Sequence, residues 1–122
     1  MAHVILSLAA NRHQKSNLAR ARQRLGELLS ETVYTSECWT QPLHATRSDL
    51  YLNQLVSATT RLTLEQLSAR LKQIELDMGR TPQKRQLGMV PIDLDVLLYD
   101  NQQLHQADWQ RPYVQQLINE LQ

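Results

Sequence analysis

The chain has 122 residues, 42% hydrophobic and 20% charged, a globular balance that excludes disorder and fits a single domain over residues 1–122. Thirteen Lys and Arg against twelve Asp and Glu give a formal net charge of +1, which argues against a nucleic-acid binder held by bulk charge. The single cysteine, Cys38, excludes an intrachain disulfide and cysteine-based zinc or iron–sulfur centres; with no apolar run near the ~20 residues that span a bilayer and no signal-peptide pattern after Met1, a soluble cytoplasmic monomer or small homo-oligomer is expected, without membrane or nucleic-acid partners.

Val4 to Leu8 is β-branched and apolar and reads as a buried strand. Leu18, Ala21, Leu25, Leu28 and Leu29 then recur at helical spacing, with Ser16 as the expected N-cap. Glu31 to Thr40 has strand composition, Gln41 to Asp49 reads as a loop, and Leu50 opens a strand that runs toward Thr60. The loop is too long for a tight hairpin, so these strands are expected to leave an open end that accepts a ligand. Thr63 and Gln66 form a capping-box pattern ahead of a helical stripe of Leu64, Leu67, Leu71, Ile74 and Met78, which Gly79 closes. Arg80 to Pro91 has no period and reads as a long loop. Ile92 to Tyr99 is a strand, Asp100-Asn101 its turn, and Pro112 opens a last helix with Val114, Leu117, Ile118 and Leu121 on its apolar side.

The order β-α-β-β-α-β plus a C-terminal helix predicts an α+β, ferredoxin-like fold: an antiparallel sheet with its helices packed on one face. Four strands are expected, with Val4–Leu8 and Ile92–Tyr99 in the centre.

On the last long strand, side chains two apart point the same way. Asp93 and Asp95 therefore share one side, opposite Ile92, Leu94, Val96 and Leu98. Two carboxylates this close repel, and a hard divalent ion such as Mg²⁺ fits such a pair together with substrate phosphates. A solvated sheet face is the bland alternative, and the commoner one for Asp-x-Asp alone. The basic residues Arg80, Lys84 and Arg85 just upstream would suit a polyphosphate, or form a solvated basic loop. Neither a Walker loop nor a dinucleotide-binding glycine motif occurs. Tyr51 and Asn53, two apart beside the long loop, offer an aromatic face and an amide edge to a flat heterocycle; a core tyrosine and a turn-facing asparagine explain them equally well. His105 follows the Asp-x-Asp strand.

Gly79-Arg80, followed after twelve residues by Asp93-Leu94-Asp95-Val96-Leu97-Leu98-Tyr99, resembles the signature of 6-hydroxymethyl-7,8-dihydropterin pyrophosphokinase, of which this chain looks like a short and divergent member. The resemblance extends over most of the chain. Ala9-Ala10-Asn11 stands where the family has Gly-Ser-Asn, Thr40-Gln41-Pro42-Leu43 resembles its pterin loop, Leu50-Tyr51-Leu52-Asn53 its aromatic-Leu-Asn element, and Ile74-Glu75 its helix end. His105, Arg111 and Tyr113 match the spacing of its His, Arg and aromatic residue. The resemblance implies an ATP-dependent diphosphotransferase of folate biosynthesis, with ATP as co-substrate. It implies that Asp93 and Asp95 bind two Mg²⁺ ions, and that Tyr51 and Tyr113 sandwich the pterin. Asn53, with Thr40, Pro42 and Leu43, would read the pterin's hydrogen-bonding edge. Arg80, His105 and Arg111 would contact phosphates in catalytic roles and Glu75 would meet the nucleotide, while Lys84 and Arg85, read from the basic loop itself, are expected to meet the nucleotide as well. Pro82, Leu87 and Val90 stand where the family carries arginines and a tryptophan. A homologue that binds pterin or nucleotide in a regulatory role, with little transfer, is therefore the second expectation. A ferredoxin-like interaction module is the third.

Overall fold

The computed structural model describes residues 1–42 and 49–122. Its elements in order are β1 (Ala2–Ala10), α1 (Gln14–Leu25), β2 (Ser30–Tyr34), β3 (Cys38–Thr40), β4 (Tyr51–Thr60), α2 (Leu64–Asp77), α3 (Pro82–Gln86), β5 (Asp93–Tyr99), β6 (Gln102–Gln103), α4 (Gln106–Trp109) and α5 (Pro112–Ile118), closed by a 3₁₀ turn over Asn119–Leu121. The strands pair antiparallel into one sheet in the order β2-β4-β1-β5-β6, with β3 also on β4. This is the expected α+β plan, but its centre is β1 and β4 rather than β1 and β5. Each β-α-β crossover skips one place, and the first strand of the other unit fills it. β5 therefore lies outside β1, bordered on its far side by the two-residue β6.

Strand alternation sends Val4, Leu6, Leu8 and Ala10 of β1 to one face, where they meet Leu18, Ala21 and Leu25 of α1 and Leu67, Leu71 and Ile74 of α2. The other face is covered only in part. Ile5, Leu55 and Leu97 pack under Val114 and Leu117 of α5. The helices thus take both faces, with α1 and α2 together on one, as expected for the pair. Leu94 and Val96 are buried on the α1/α2 face, but Leu98 departs from the expected alternation and packs toward α5. Leu6 pairs with Val96 and Ile5 with Leu98, so Leu97 is one extra residue, and a bulge of this kind turns the following side chains over.

Local signals explain most element ends. Thr63 Oγ1 accepts from the Gln66 N–H at 3.1 Å, and Gln66 Oε1 accepts from the Thr63 N–H at 3.0 Å, completing the capping box. Gly79 follows α2 at φ +95°, a conformation that favours glycine. Thr63→Ala should lower the unfolding free energy by about 1 kcal/mol, measured by urea denaturation; an unchanged midpoint would contradict the cap's contribution. Other ends differ from expectation. Helix α1 starts at Gln14, after His13 in the left-handed region, and the Ser16 hydroxyl donates to the His13 carbonyl instead of capping. The stretch Glu31 to Thr40 is split at Thr35–Glu37 because side chains take over the ladder. The Leu55 N–H donates to Thr35 Oγ1 and Gln54 Nε2 donates to the Thr35 carbonyl. The long loop after Gly79 contains α3, opened by Thr81 as cap and Pro82 as first residue.

Candidate active site

The sheet builds the site by register. On the face that α5 leaves uncovered, Asn53, Ala9 and Asp93 stand in one row across β4, β1 and β5, and Leu55, Ser7 and Asp95 in the next. Period-two alternation points these side chains the same way. Ser7 and Ala9 are small, so the floor stays low between taller neighbours. With Pro42, Tyr51, Asp108, Arg111 and Tyr113 they enclose a pocket of about 250 Å³. A larger pocket, about 890 Å³, lies beside β5 and α2, and its walls include Leu71, Glu75, Arg80, Arg85, Leu104 and His105. Asp93 and Asp95 line both pockets.

Arg80 organises the wall between α2 and β5. Its Nη1 lies 2.9 Å from Asp93 Oδ1 and 3.0 Å from Glu75 Oε2. Glu75 Oε2 also accepts from the Leu94 N–H at 2.8 Å, which ties the end of α2 to β5. Burial pushes the Glu75 carboxyl up, against the opposing pull of the Leu94 N–H and Arg80. Burial and the neighbouring Asp93 charge push Asp95 up to about 6, while His105 and Arg80 hold it down; His105 Nε2 is 3.8 Å from Asp95 Oδ1.

The donor set suits magnesium. Adjacent hard carboxylates, one of them destabilised as an anion, are what a divalent cation relieves. Among the described residues no group of three or more His, Cys, Asp or Glu is placed to hold a metal. Mg²⁺ commonly takes one or two carboxylates and fills its remaining positions with water and phosphate oxygens.

In the smaller pocket, Asn53 is 2% exposed. Its Nδ2 lies 3.0 Å from the Cys38 carbonyl, 2.8 Å from Thr40 Oγ1 and 3.4 Å from the Tyr51 carbonyl. This orientation holds β3 in place and leaves Oδ1 as the atom offered to a ligand N–H. The Arg111 guanidinium carbon sits 4.6 Å from the centroid of the Tyr113 ring, a cation–π contact. Burial is the largest cause raising both the Tyr51 and Tyr113 phenols.

A family model described as 7,8-dihydro-6-hydroxymethylpterin-pyrophosphokinase matches residues 5–122. The chain belongs to this family. It is 30% identical over 121 residues to a folate synthesis bifunctional protein of Arabidopsis thaliana, across 91% of this chain and 25% of that protein. It is 40% identical over 91 residues to a mitochondrial folate synthesis bifunctional protein of Pisum sativum, across 68% of this chain and 18% of the relative. It is 31% identical over 107 residues to the 2-amino-4-hydroxy-6-hydroxymethyldihydropteridine pyrophosphokinase of Aquifex aeolicus, across 84% of this chain and 64% of that enzyme. The chain thus spans a quarter or less of the length of these two bifunctional relatives.

Most of the residues expected at the site line these two pockets. Glu75, Arg80, Arg85 and His105 line the larger pocket, and Pro42, Tyr51, Asn53, Arg111 and Tyr113 the smaller. Thr40 lines neither pocket, and its Oγ1 accepts from Asn53 Nδ2. Leu43 lies outside the described residues. Lys84 is also absent from both linings; its Nζ packs 3.0 Å from where a side chain on Gly79 would begin.

Sequence reasoning gave no role to Asn11, Ser7, Ala9 or Asp108. Asn11 clasps the segment before β5: its Oδ1 accepts from the Val90 N–H at 2.6 Å and its Nδ2 donates to the Gly88 carbonyl at 2.8 Å. The Asn-after-Ala-Ala pattern matched the family and was the available signal for this clasp. Ser7 and Ala9 are ordinary strand residues until the register is known. Among the described residues no helix is long and apolar enough to cross a membrane.

Proposed function

We propose that this chain transfers pyrophosphate from ATP to the hydroxymethyl group of 6-hydroxymethyl-7,8-dihydropterin, giving AMP and the pterin pyrophosphate. The observation that carries the reading is that two pockets of different size meet at one carboxylate pair. The larger suits a nucleotide and the smaller a flat heterocycle. The family membership and the printed name of the Aquifex aeolicus relative support it.

Asp93 and Asp95 would hold magnesium, two ions in the full proposal, which neutralises phosphate charge. Every other contribution comes from side chains. Tyr51 and Tyr113 flank the pterin ring, and Asn53 Oδ1 accepts from its N–H edge. The acceptor hydroxyl attacks the β-phosphorus, the bond from that phosphorus to the α-phosphate oxygen breaks, AMP leaves, and the hydroxyl proton passes to solvent. Positioning and charge stabilisation suffice for this chemistry. Arg80, Arg85 and His105 face the nucleotide phosphates, and Arg111 faces the acceptor end. The proposal retains a cytoplasmic monomer or small homo-oligomer.

The missing loop cations sharpen one expectation. Arg85 lines the larger pocket and Lys84 does not, so Arg85→Ala should slow transfer about 10–100-fold, the worth of one charge-assisted hydrogen bond. Lys84→Ala should change it little; the reverse order in AMP-release assays would contradict this placement. A second reading, a pterin- or nucleotide-binding regulator, is favoured by Pro82, Leu87 and Val90 in place of cationic or tryptophan side chains.

The pterin role of Asn53 is also testable. Leucine there removes the acceptor and releases the Cys38 and Thr40 oxygens from their donor, so Asn53→Leu should weaken pterin binding by about 1–3 kcal/mol. Tyr51→Phe keeps the ring and should weaken it less; calorimetry showing the opposite order would refute the assigned roles. The two-pocket reading itself is tested by titrating reduced hydroxymethylpterin into protein saturated with magnesium and a non-hydrolysable ATP analogue. Simultaneous binding is expected, and mutual exclusion would overturn it.

A further inference from the structure

We infer that Asp108 is a charge-selecting residue of the smaller pocket, whose carboxylate disfavours anionic occupants and so favours exit of the pyrophosphorylated product over retention. The inference rests on the reading of this pocket as the pterin site.

Asp108 stands on α4 and lines the pocket together with Asp93, Asp95 and Arg111. Its place is fixed by its neighbour. Trp109 Nε1 lies 3.1 Å from the Leu97 carbonyl and 2.9 Å from the Leu104 carbonyl, so the indole pins α4 to β5 and to the segment after β6. The Asp108 backbone is committed as well, with its N–H on the His105 carbonyl and its carbonyl accepting from the Arg111 N–H. Its carboxylate makes no hydrogen bond or ion pair among the described residues. The nearby Arg111 guanidinium keeps its charge while it stacks on Tyr113 at 4.6 Å, and among the described residues it forms no ion pair with Asp108. Burial raises the Tyr113 phenol, and the Asp108 charge adds to that rise against the opposing pull of Arg111.

The two pterins that must occupy this pocket differ mainly in charge. The acceptor carries a neutral hydroxyl, and the product carries a pyrophosphate at the same position. A fixed negative charge beside a small, partly desolvated pocket acts on the second and scarcely on the first, over distances shorter than the screening length of ~10 Å at 0.1 M salt. Magnesium at Asp93 and Asp95 offsets part of the product's charge and Asp108 acts on the remainder. Asp108 is thus a positioning and selectivity residue, separate from the metal-holding pair.

The experiment compares wild type, Asp108→Asn and Asp108→Ser by calorimetry with the reduced hydroxymethylpterin and with its pyrophosphate, in magnesium at low salt. The readout is the ratio of product affinity to acceptor affinity. The ratio is expected to rise about 3–10-fold in both variants, and the gain to shrink at 0.5 M salt, as a Coulomb effect must. An unchanged ratio overturns the inference. So does a loss confined to the acceptor, which would make Asp108 a direct hydrogen-bond partner of the ring. If wild type binds neither pterin, the pocket assignment itself fails and the selector role fails with it.

Discussion

Asp95→Asn is expected to weaken magnesium-dependent nucleotide binding by more than ~100-fold and to slow pyrophosphate transfer by about 10³-fold or more. The amide keeps the volume of the carboxylate and removes the hard anionic donor, so the fold should survive. Metal-free ATP should bind the variant at least as well as wild type, since a repelling charge is removed, and calorimetry with and without chelator separates the two terms. Equal Mg-ATP affinities would refute the metal role. In chelator, the same change should make the protein more stable at pH 8. The sign follows from the raised native carboxyl, at about 6 against 3.8 for an ordinary aspartate. The native state binds this proton more tightly than the unfolded chain does, so ionisation of Asp95 destabilises the native state above about pH 6. That cost fades as pH falls through 6 and is gone below about 4. The gain from asparagine, on the order of 1–3 kcal/mol, should vanish over the same window. Thermal unfolding at pH 4 and pH 8 reads it.

Arg80→Ala carries the second large effect, and it falls on both stability and chemistry. One guanidinium nitrogen joins Glu75 on α2 to Asp93 on β5. Alanine leaves the largely buried Glu75 with the Leu94 N–H as its remaining hydrogen-bond donor. Breaking a buried pair from one side costs about 3–5 kcal/mol, and partial exposure of Arg80 places this case at the low end. Transfer should fall about 10³-fold, since a phosphate-facing cation and the orientation of Asp93 are lost together. The destabilisation should grow with pH. Without Arg80, burial pushes the Glu75 carboxyl further above its unfolded value, so the native state holds the proton more tightly and loses stability as pH rises through that range. Arg80→Lys should restore part of the stability, since a flexible ammonium cannot reproduce the planar fork. Urea unfolding at pH 5 and pH 8 checks the trend, and a destabilisation that shrinks with pH would contradict it.

What the sequence made legible was local. The Thr63–Gln66 box, Gly79 and the shared side of Asp93 and Asp95 follow from short-range spacing, and all appear in the structure. Helix α3 was equally local, signalled by Thr81-Pro82, but it is too short to show a hydrophobic period. The remainder depended on long-range pairing. No spacing rule reveals that Thr35 and Gln54, nineteen positions apart, interrupt β2 and β3. None reveals that Leu97 bulges because Ile5 pairs with Leu98. The pocket floor is the clearest case: Ser7 and Ala9 acquire a function only when the register sets them between Asn53 and Asp93 on one row and Leu55 and Asp95 on the other. Lys84 and Arg85 are adjacent and indistinguishable in sequence, and α3 turns only Arg85 toward the larger pocket.

The central claim is that one carboxylate pair couples an ATP pocket to a pterin pocket for pyrophosphate transfer. It is tested most directly by incubating the protein with Mg-ATP, with and without reduced hydroxymethylpterin, and resolving the nucleotide products. The account predicts AMP in equal amount to pterin pyrophosphate, formed only when the pterin is present. ADP as the product, AMP formed at the same rate without pterin, or no AMP above the protein-free control would contradict it.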